Sequence, residues 1–241
     1  MGVFKKDERI PDVAMRTSAD AGTPRRALSD AFEAGKREQR ALLMPFLVCG
    51  YPTPDTFIAC VEAAASAGAD VLEIGVPFSD PIMDGPVIAA ASASVLQRGQ
   101  TVDDAMGLLA RAHAAFRGPV VAMTYYNLIL RRPPVRFAGE CAGAGVTGVI
   151  VPDLTVEESL QWSVACEQAG VASVLMAAVT SSPERLNRIA QSSDGFIYAA
   201  SMLGVTGVRD QMSARARELV AALRAVTTKP VAVGIGVSTP D

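Results

Sequence analysis

The stretch VLEIGVPFSDPIMDGPVI, residues 71–88, decides how the rest of the chain is understood. Val71, Leu72, Ile74 and Val76 form an apolar run of strand type with one acid, Glu73, in its middle, and Gly75, Val76 and Pro77 end it. An irregular segment with Asp80, Pro81, Asp84, Gly85 and Pro86 follows. Desolvating an unpaired, ionised carboxylate inside an apolar strand costs roughly several kcal/mol. A folded chain keeps such a group when it is paired, exposed at a strand end, or used. Asp84, eleven positions later, sits on a loop placed to face the same cavity. A strand acid followed by a loop acid is the leading clue to function.

Working outward, the same strand, loop and helix cycle recurs. Apolar runs at residues 42–49, 71–76, 119–126, 146–151, 171–179, 195–201 and 230–235 are predicted strands. Residues 25–40 place Leu28, Ala31 and Phe32 at helical spacing among charges, and later helices stop at Gly68, Gly99, Gly118 and Gly170. Thr101 with Asp104, and Thr155 with Glu158, are predicted helix caps, while Ser182 and Pro183 mark another helix start. One helix is predicted after Asn127, running through Cys141.

Near-continuous apolar strands alternating with helices predict an α/β protein with an all-parallel sheet covered by helices. An open doubly wound sheet and a (β/α)8 TIM barrel both fit. No G-x-G-x-x-G follows the first strand. Polar and glycine residues gather at the C-terminal strand ends (Gly50, Glu73, Tyr125, Asn127, Asp153, Tyr198, Gly234 and Gly236), as the single mouth of a barrel requires. The barrel is therefore the expected fold. Residues 238–241 look like the start of one more helix, so an eighth strand and the last helices are expected to be missing from this chain. The barrel domain is expected over residues 25–241, after a flexible tail at residues 1–24.

Half of the 241 residues are hydrophobic and only 5% aromatic, which suits packed helices and buried parallel strands better than a β-sandwich. A net charge of −3 gives no reason to expect nucleic acid or an anionic membrane as a partner. No signal peptide or membrane-spanning run is present, and the four scattered cysteines, Cys49, Cys60, Cys141 and Cys166, fit reduced thiols in a cytoplasmic protein. The single histidine, His113, lies within a predicted helix and is assigned a helix-surface or packing role. With one histidine and unclustered cysteines, no metal site is expected.

On the residues alone, Glu73 is either one half of a structural ion pair with an Arg or Lys at the barrel rim, or a working group. Asp84 is either an exposed turn former or its partner in acid–base chemistry. Asp80 is a turn former. The loop Gly204-Val-Thr-Gly207 and the pair Gly234 and Gly236 offer backbone N–H groups to an anion, and barrels often bind phosphate at the loops after strands seven and eight. The same glycines are ordinary at strand-to-helix turns. Tyr125 and Tyr198 supply hydroxyls or flat walls, or simply rim packing. Phe46, Leu128 and Ile88 supply an apolar pocket, or core.

Taken together, these motifs resemble the α subunit of tryptophan synthase from about Leu42 to the C-terminus. LEIGVPFSDPIMDGP at residues 72–86 is the most specific match, and MTYYN at 123–127, Pro152-Asp153, Tyr198 and Gly204-Val-Thr-Gly207 agree in order and spacing. The resemblance implies a (β/α)8 barrel that cleaves indole-3-glycerol phosphate to indole and glyceraldehyde 3-phosphate. It implies a retro-aldol reaction without Schiff base or metal. By the family pattern Glu73 is the general acid/base and Asp84 bonds the ring N–H. Tyr198 lies near the reacting hydroxyl, and Tyr125 and Phe46 line the indole pocket. Gly207 and Gly236 bind phosphate, and Thr206 sits on a closing loop. The implied partner is a pyridoxal-phosphate β subunit in an α2β2 heterotetramer, with the Asp84 loop at the contact; no cofactor is implied for this chain. The family's eighth strand, with its Gly-Ser phosphate turn, has no counterpart before Asp241. The resemblance therefore also admits a truncated, weak or inactive subunit that binds and modulates a β partner.

Overall fold

The structure, a computed structural model, describes residues 22–200 and 209–234. The expected tail lies outside the described residues except for its last three. Seven strands alternate with helices: β1 (Phe46–Val48), β2 (Leu72–Gly75), β3 (Val120–Met123), β4 (Val146–Ile150), β5 (Ala172–Ala178), β6 (Ile197–Ala200) and β7 (Val231–Gly234). Among the described residues they form one sheet in sequence order, each strand parallel to the next.

Period-two alternation divides each strand between two environments. Leu72, Ile74 and Val76 face outward and join Val120, Ala122, Val149 and Val151 in a core shared with the helices. The intervening side chains face inward. Val71, Val121, Ile150, Val174, Phe196 and Tyr198 meet in a second cluster with Met44, Met123, Met176 and Ala232. Residues from both ends of the sheet touch one cluster only if the sheet curls, so this is the wall of a TIM barrel, as expected.

The helices are α1 (Pro24–Arg37), α2 (Pro54–Ser66), α3 (Pro86–Gln97), α4 (Val102–Phe116), α5 (Tyr126–Leu130), α6 (Pro134–Gly143), α7 (Leu160–Ala169), α8 (Pro183–Ser192) and α9 (Arg209–Val226). Helix α1 plugs the N-terminal end of the barrel. Leu28 is fully buried in the inner cluster, Phe32 packs its ring 5.4 Å from that of Phe196, and Arg25 pairs with Asp194 at 3.3 Å. With that end filled, the C-terminal strand ends are left as the mouth of the lumen.

Helix α4 starts as its sequence predicts: Thr101 Oγ1 accepts from the Asp104 N–H at 3.2 Å while Asp104 accepts from the Thr101 N–H at 2.8 Å. The expected cap at Thr155 differs. Its hydroxyl donates to the Glu158 carboxylate at 2.9 Å instead of meeting a backbone N–H, residues 156–159 are turns, and α7 begins only at Leu160. The single helix expected through Cys141 is two, α5 and α6, because Pro133 and Pro134 interrupt it. Strand β1 is three residues long rather than eight; before Phe46 the chain meets β2 through the Leu43 and Pro45 carbonyls, which accept from the Val71 and Glu73 N–H groups at 3.3 and 3.0 Å. His113 packs against Gly145, consistent with its assigned packing role. No helix among the described residues is long and apolar enough to cross a membrane.

Candidate active site

Glu73 is the second residue of β2, opposite Phe46 of β1 and Val121 of β3. Because Leu72 and Ile74 point to the helices, the Glu73 side chain must point into the lumen. It is 3% exposed and has no ion-pair partner among the described residues, so the structural ion-pair reading falls away. Burial, reinforced by the nearby charge of Asp84, pushes its pKa up to about 7. An acid with that value exchanges a proton in either direction near neutral pH.

Asp84 follows on the irregular loop between β2 and α3 and is half-buried. Burial raises its pKa, and a hydrogen bond from Tyr125 opposes that rise. With Asp84 ionised beside it, a buried Glu73 stays ionised only at high cost, so Glu73 is the one that keeps a proton. Burial raises the pKa of Tyr198, inward-facing on β6, and the charges of Glu73 and Asp84 add to that rise. Its hydroxyl lies against Gly234 of β7, where a Cβ would collide with it.

Tyr125, at the end of β3, is 2% exposed and accepts a hydrogen bond from the Met83 N–H at 3.0 Å. Phe46 lays its ring across Gly75, where an added Cβ would come within 2.6 Å of a ring carbon. Glu73, Asp84, Tyr125, Tyr198 and Phe46 thus meet around one mouth, as the sequence predicts. Thr206, Gly207 and Gly236 lie outside the described residues. Leu128 is not part of this mouth. It sits on α5, which turns it toward a separate cavity of about 410 Å3 lined also by Phe78, Asp80 and Asn127, with neither acid in its wall. Asp153 accepts from the Tyr126 N–H at 2.9 Å and so holds the start of α5.

Three contributors escape the sequence reading. Phe78 stacks on Tyr125, with ring centroids 5.0 Å apart. Met123 and Met176 face the lumen, and Met176 lines a cavity of about 260 Å3 with Met83, Pro152, Ala178, Thr180 and Ala200. Strand alternation contains the signal for both methionines; nothing local reveals the stack. Among the described residues no three His, Cys, Asp or Glu side chains converge as they would around a metal ion.

Residues 32–241 match the sequence profile of the tryptophan synthase alpha chain family. The tryptophan synthase alpha chain of Trichormus variabilis is 42% identical over 214 residues, covering 89% of this chain and 80% of its own. That of Streptomyces avermitilis is 45% identical over 211 residues, covering 88% and 76%. The chain belongs to the tryptophan synthase alpha chain family. Solved structures agree. Mycobacterium tuberculosis tryptophan synthase superposes with a TM-score of 0.81 at 40% identity, over 87% of this chain and 80% of that one. A chain of the tryptophan synthase α2β2 complex from Pyrococcus furiosus gives 0.76 at 32% identity, over 82% and 79%. Membership makes the chain a lyase of tryptophan synthesis.

Proposed function

We propose that this chain carries out the alpha reaction, cleavage of indole-3-glycerol phosphate to indole and glyceraldehyde 3-phosphate, with Glu73 as the proton carrier. A carbanion at indole C3 is too unstable to leave, so the carbon must be protonated before the bond breaks. Protonated Glu73 gives its proton to C3, which places positive charge on the ring nitrogen. The Asp84 carboxylate, hydrogen-bonded to the ring N–H, stabilises that charge in a water-poor site. Glu73, now a carboxylate, takes the proton of the side-chain hydroxyl. The C–C bond breaks, its electron pair restores the aromatic ring, and the aldehyde forms. Glu73 ends protonated, ready for the next turnover.

Tyr198 sits beside the reacting hydroxyl, and Tyr125 and Phe46 form walls for the indole. Gly207 and Gly236 hold the phosphate, and Thr206 lies on the loop that closes over it. These three roles rest on the motif match alone. The scheme draws on no cofactor in this chain; pyridoxal phosphate belongs to the proposed β partner of an α2β2 assembly. Ile82 and Val87, both more than three-quarters exposed on the Asp84 loop and the start of α3, give that partner an apolar contact. Four unpaired cysteines suit a cytoplasmic setting.

The observation that carries the scheme is an unpaired, lumen-facing acid with a pKa of about 7 beside a second carboxylate. Indole release from indole-3-glycerol phosphate by wild type and Glu73→Gln tests it. The variant is expected to lose release by at least about a thousandfold; equal rates would sink the role.

A further inference from the structure

The loop carrying Asp84, residues 76–85, has no helix or strand of its own. Its internal bonds are short-range: the Ile82 N–H donates to the Asp80 carbonyl at 2.9 Å and the Asp84 N–H to that of Pro81 at 3.0 Å. Such turns shape a loop without fixing where it lies against the barrel. Tyr125 does that at three places. Its ring stacks on Phe78 with centroids 5.0 Å apart and planes 24° from parallel. Its hydroxyl oxygen accepts the Met83 N–H at 3.0 Å. The same hydroxyl faces the Asp84 carboxylate and works against the rise that burial imposes on its pKa. A phenol has one donor and two acceptor lone pairs, so accepting from Met83 leaves its proton for a carboxylate. Tyr125 is itself buried, 2% exposed just beyond β3.

We propose that the Tyr125 hydroxyl is a positioning group: by holding Met83 and Asp84 together at the mouth it aims the Asp84 carboxylate at the substrate ring and leaves Glu73 as the acid that carries the proton. The proposal rests on the roles given above to Glu73 and Asp84. Burial raises both carboxylates, and the Asp84 charge raises Glu73 further; the Tyr125 hydroxyl lowers Asp84, while Glu73 has no such donor. The groups facing this cluster are Glu73 from β2, Asp84 from its loop, Asp153 beyond β4 and Tyr198 from β6. Each of these described groups is an acid. Deeper burial of Glu73 separates the two carboxylates first, and the phenol widens the difference.

Tyr125→Phe keeps the ring and its stack on Phe78 while deleting the hydroxyl. Two measurements on the full chain decide the matter. In a carbon-13 NMR titration of the side-chain carboxyls, the Asp84 midpoint should move up in the variant and the Glu73 midpoint down. In steady-state indole release, kcat should fall about tenfold, with its acid limb displaced to higher pH and KM changed less. Unchanged carboxyl midpoints overturn the proposal, as does a variant that raises KM alone, since Tyr125 is then only a wall. The underlying scheme fails differently. If Glu73→Gln releases indole as fast as wild type, the proton-carrier role falls whatever Tyr125→Phe does. If Glu73→Gln is inactive but Tyr125→Phe matches wild type, only the positioning role falls.

Discussion

Replacing Glu73 by Gln should stabilise the protein, and by an amount that depends on pH. The folded state holds this carboxyl at a pKa of about 7, against 4.5 for an exposed glutamic acid, first through burial and then through the Asp84 charge. Between those two values the folded chain keeps a proton that the unfolded chain has released. The unfolded state binds fewer protons there, so stability falls as pH rises through the window, and levels off above it. At roughly 1.4 kcal/mol per pH unit, the fall totals about 3 kcal/mol. Below about pH 4.5 the acid is neutral in both states, and Gln is close to its isostere. Above about pH 8 the variant should therefore be more stable than wild type by about 2–3 kcal/mol, with the gain vanishing toward pH 4.5. Urea unfolding at several pH values measures this, with the fluorescence of Trp162, the sole tryptophan and 1% exposed, as the probe. Other titrating groups largely cancel in the difference between the two proteins. A difference that is flat with pH, or largest near pH 5, would refute the reasoning.

Three further outcomes are expected. Leu28→Ala should lose about 3–5 kcal/mol by the same urea assay, because Leu28 is fully buried over Gly148 and Gly195, whose missing side chains leave nothing to fill the void. Gly75→Ala should drive the Phe46 ring off its seat, costing about 1–3 kcal/mol and raising KM for indole-3-glycerol phosphate, measured by steady-state kinetics. A thiol reagent at about pH 8 should label Cys60 alone in the native protein, since burial pushes the thiols of Cys49 and Cys141 up to about 12 and raises that of Cys166; all four should react in urea.

The barrel was legible because parallel strands covered by helices bury both faces and so appear as unbroken apolar runs punctuated by glycine. The ends of those runs misled. Residues 42–45 and 124–126 extend the apolar runs past the regular strands, and only single backbone bonds, such as Glu73 N–H to the Pro45 carbonyl and Thr124 N–H to that of Ile150, follow them there. Pro133 and Pro134 announced the break between α5 and α6, and periodicity alone overrode them. For the site, alternation in β2 was enough to aim Glu73 inward. It was not enough for Leu128, because α5 is a helix and its turn carries that residue to the other side of the Phe78 wall. The Phe78 and Tyr125 stack joins residues 47 positions apart, and no local pattern encodes such a pairing.

Glu73 is the only charged residue in the seven described strands. Every other lumen position could be filled to suit packing, and this one opposes it by about 3 kcal/mol at alkaline pH. The chemistry explains why the acid has to be on a strand. A proton donor to carbon must be held rigidly, kept dry enough to stay protonated near neutrality, and yet reach a substrate entering the mouth. A loop meets the last condition and fails the first two; the barrel bottom meets the first two and fails the last. Its partner has the opposite requirement, since a carboxylate that stabilises a ring cation must stay ionised. Asp84, half-buried on a loop and hydrogen-bonded by Tyr125, meets it. Exchanging the two acids between strand and loop would leave both side-chain types present and put each in the wrong protonation state. The fold distinguishes the two carboxylates by where it places them.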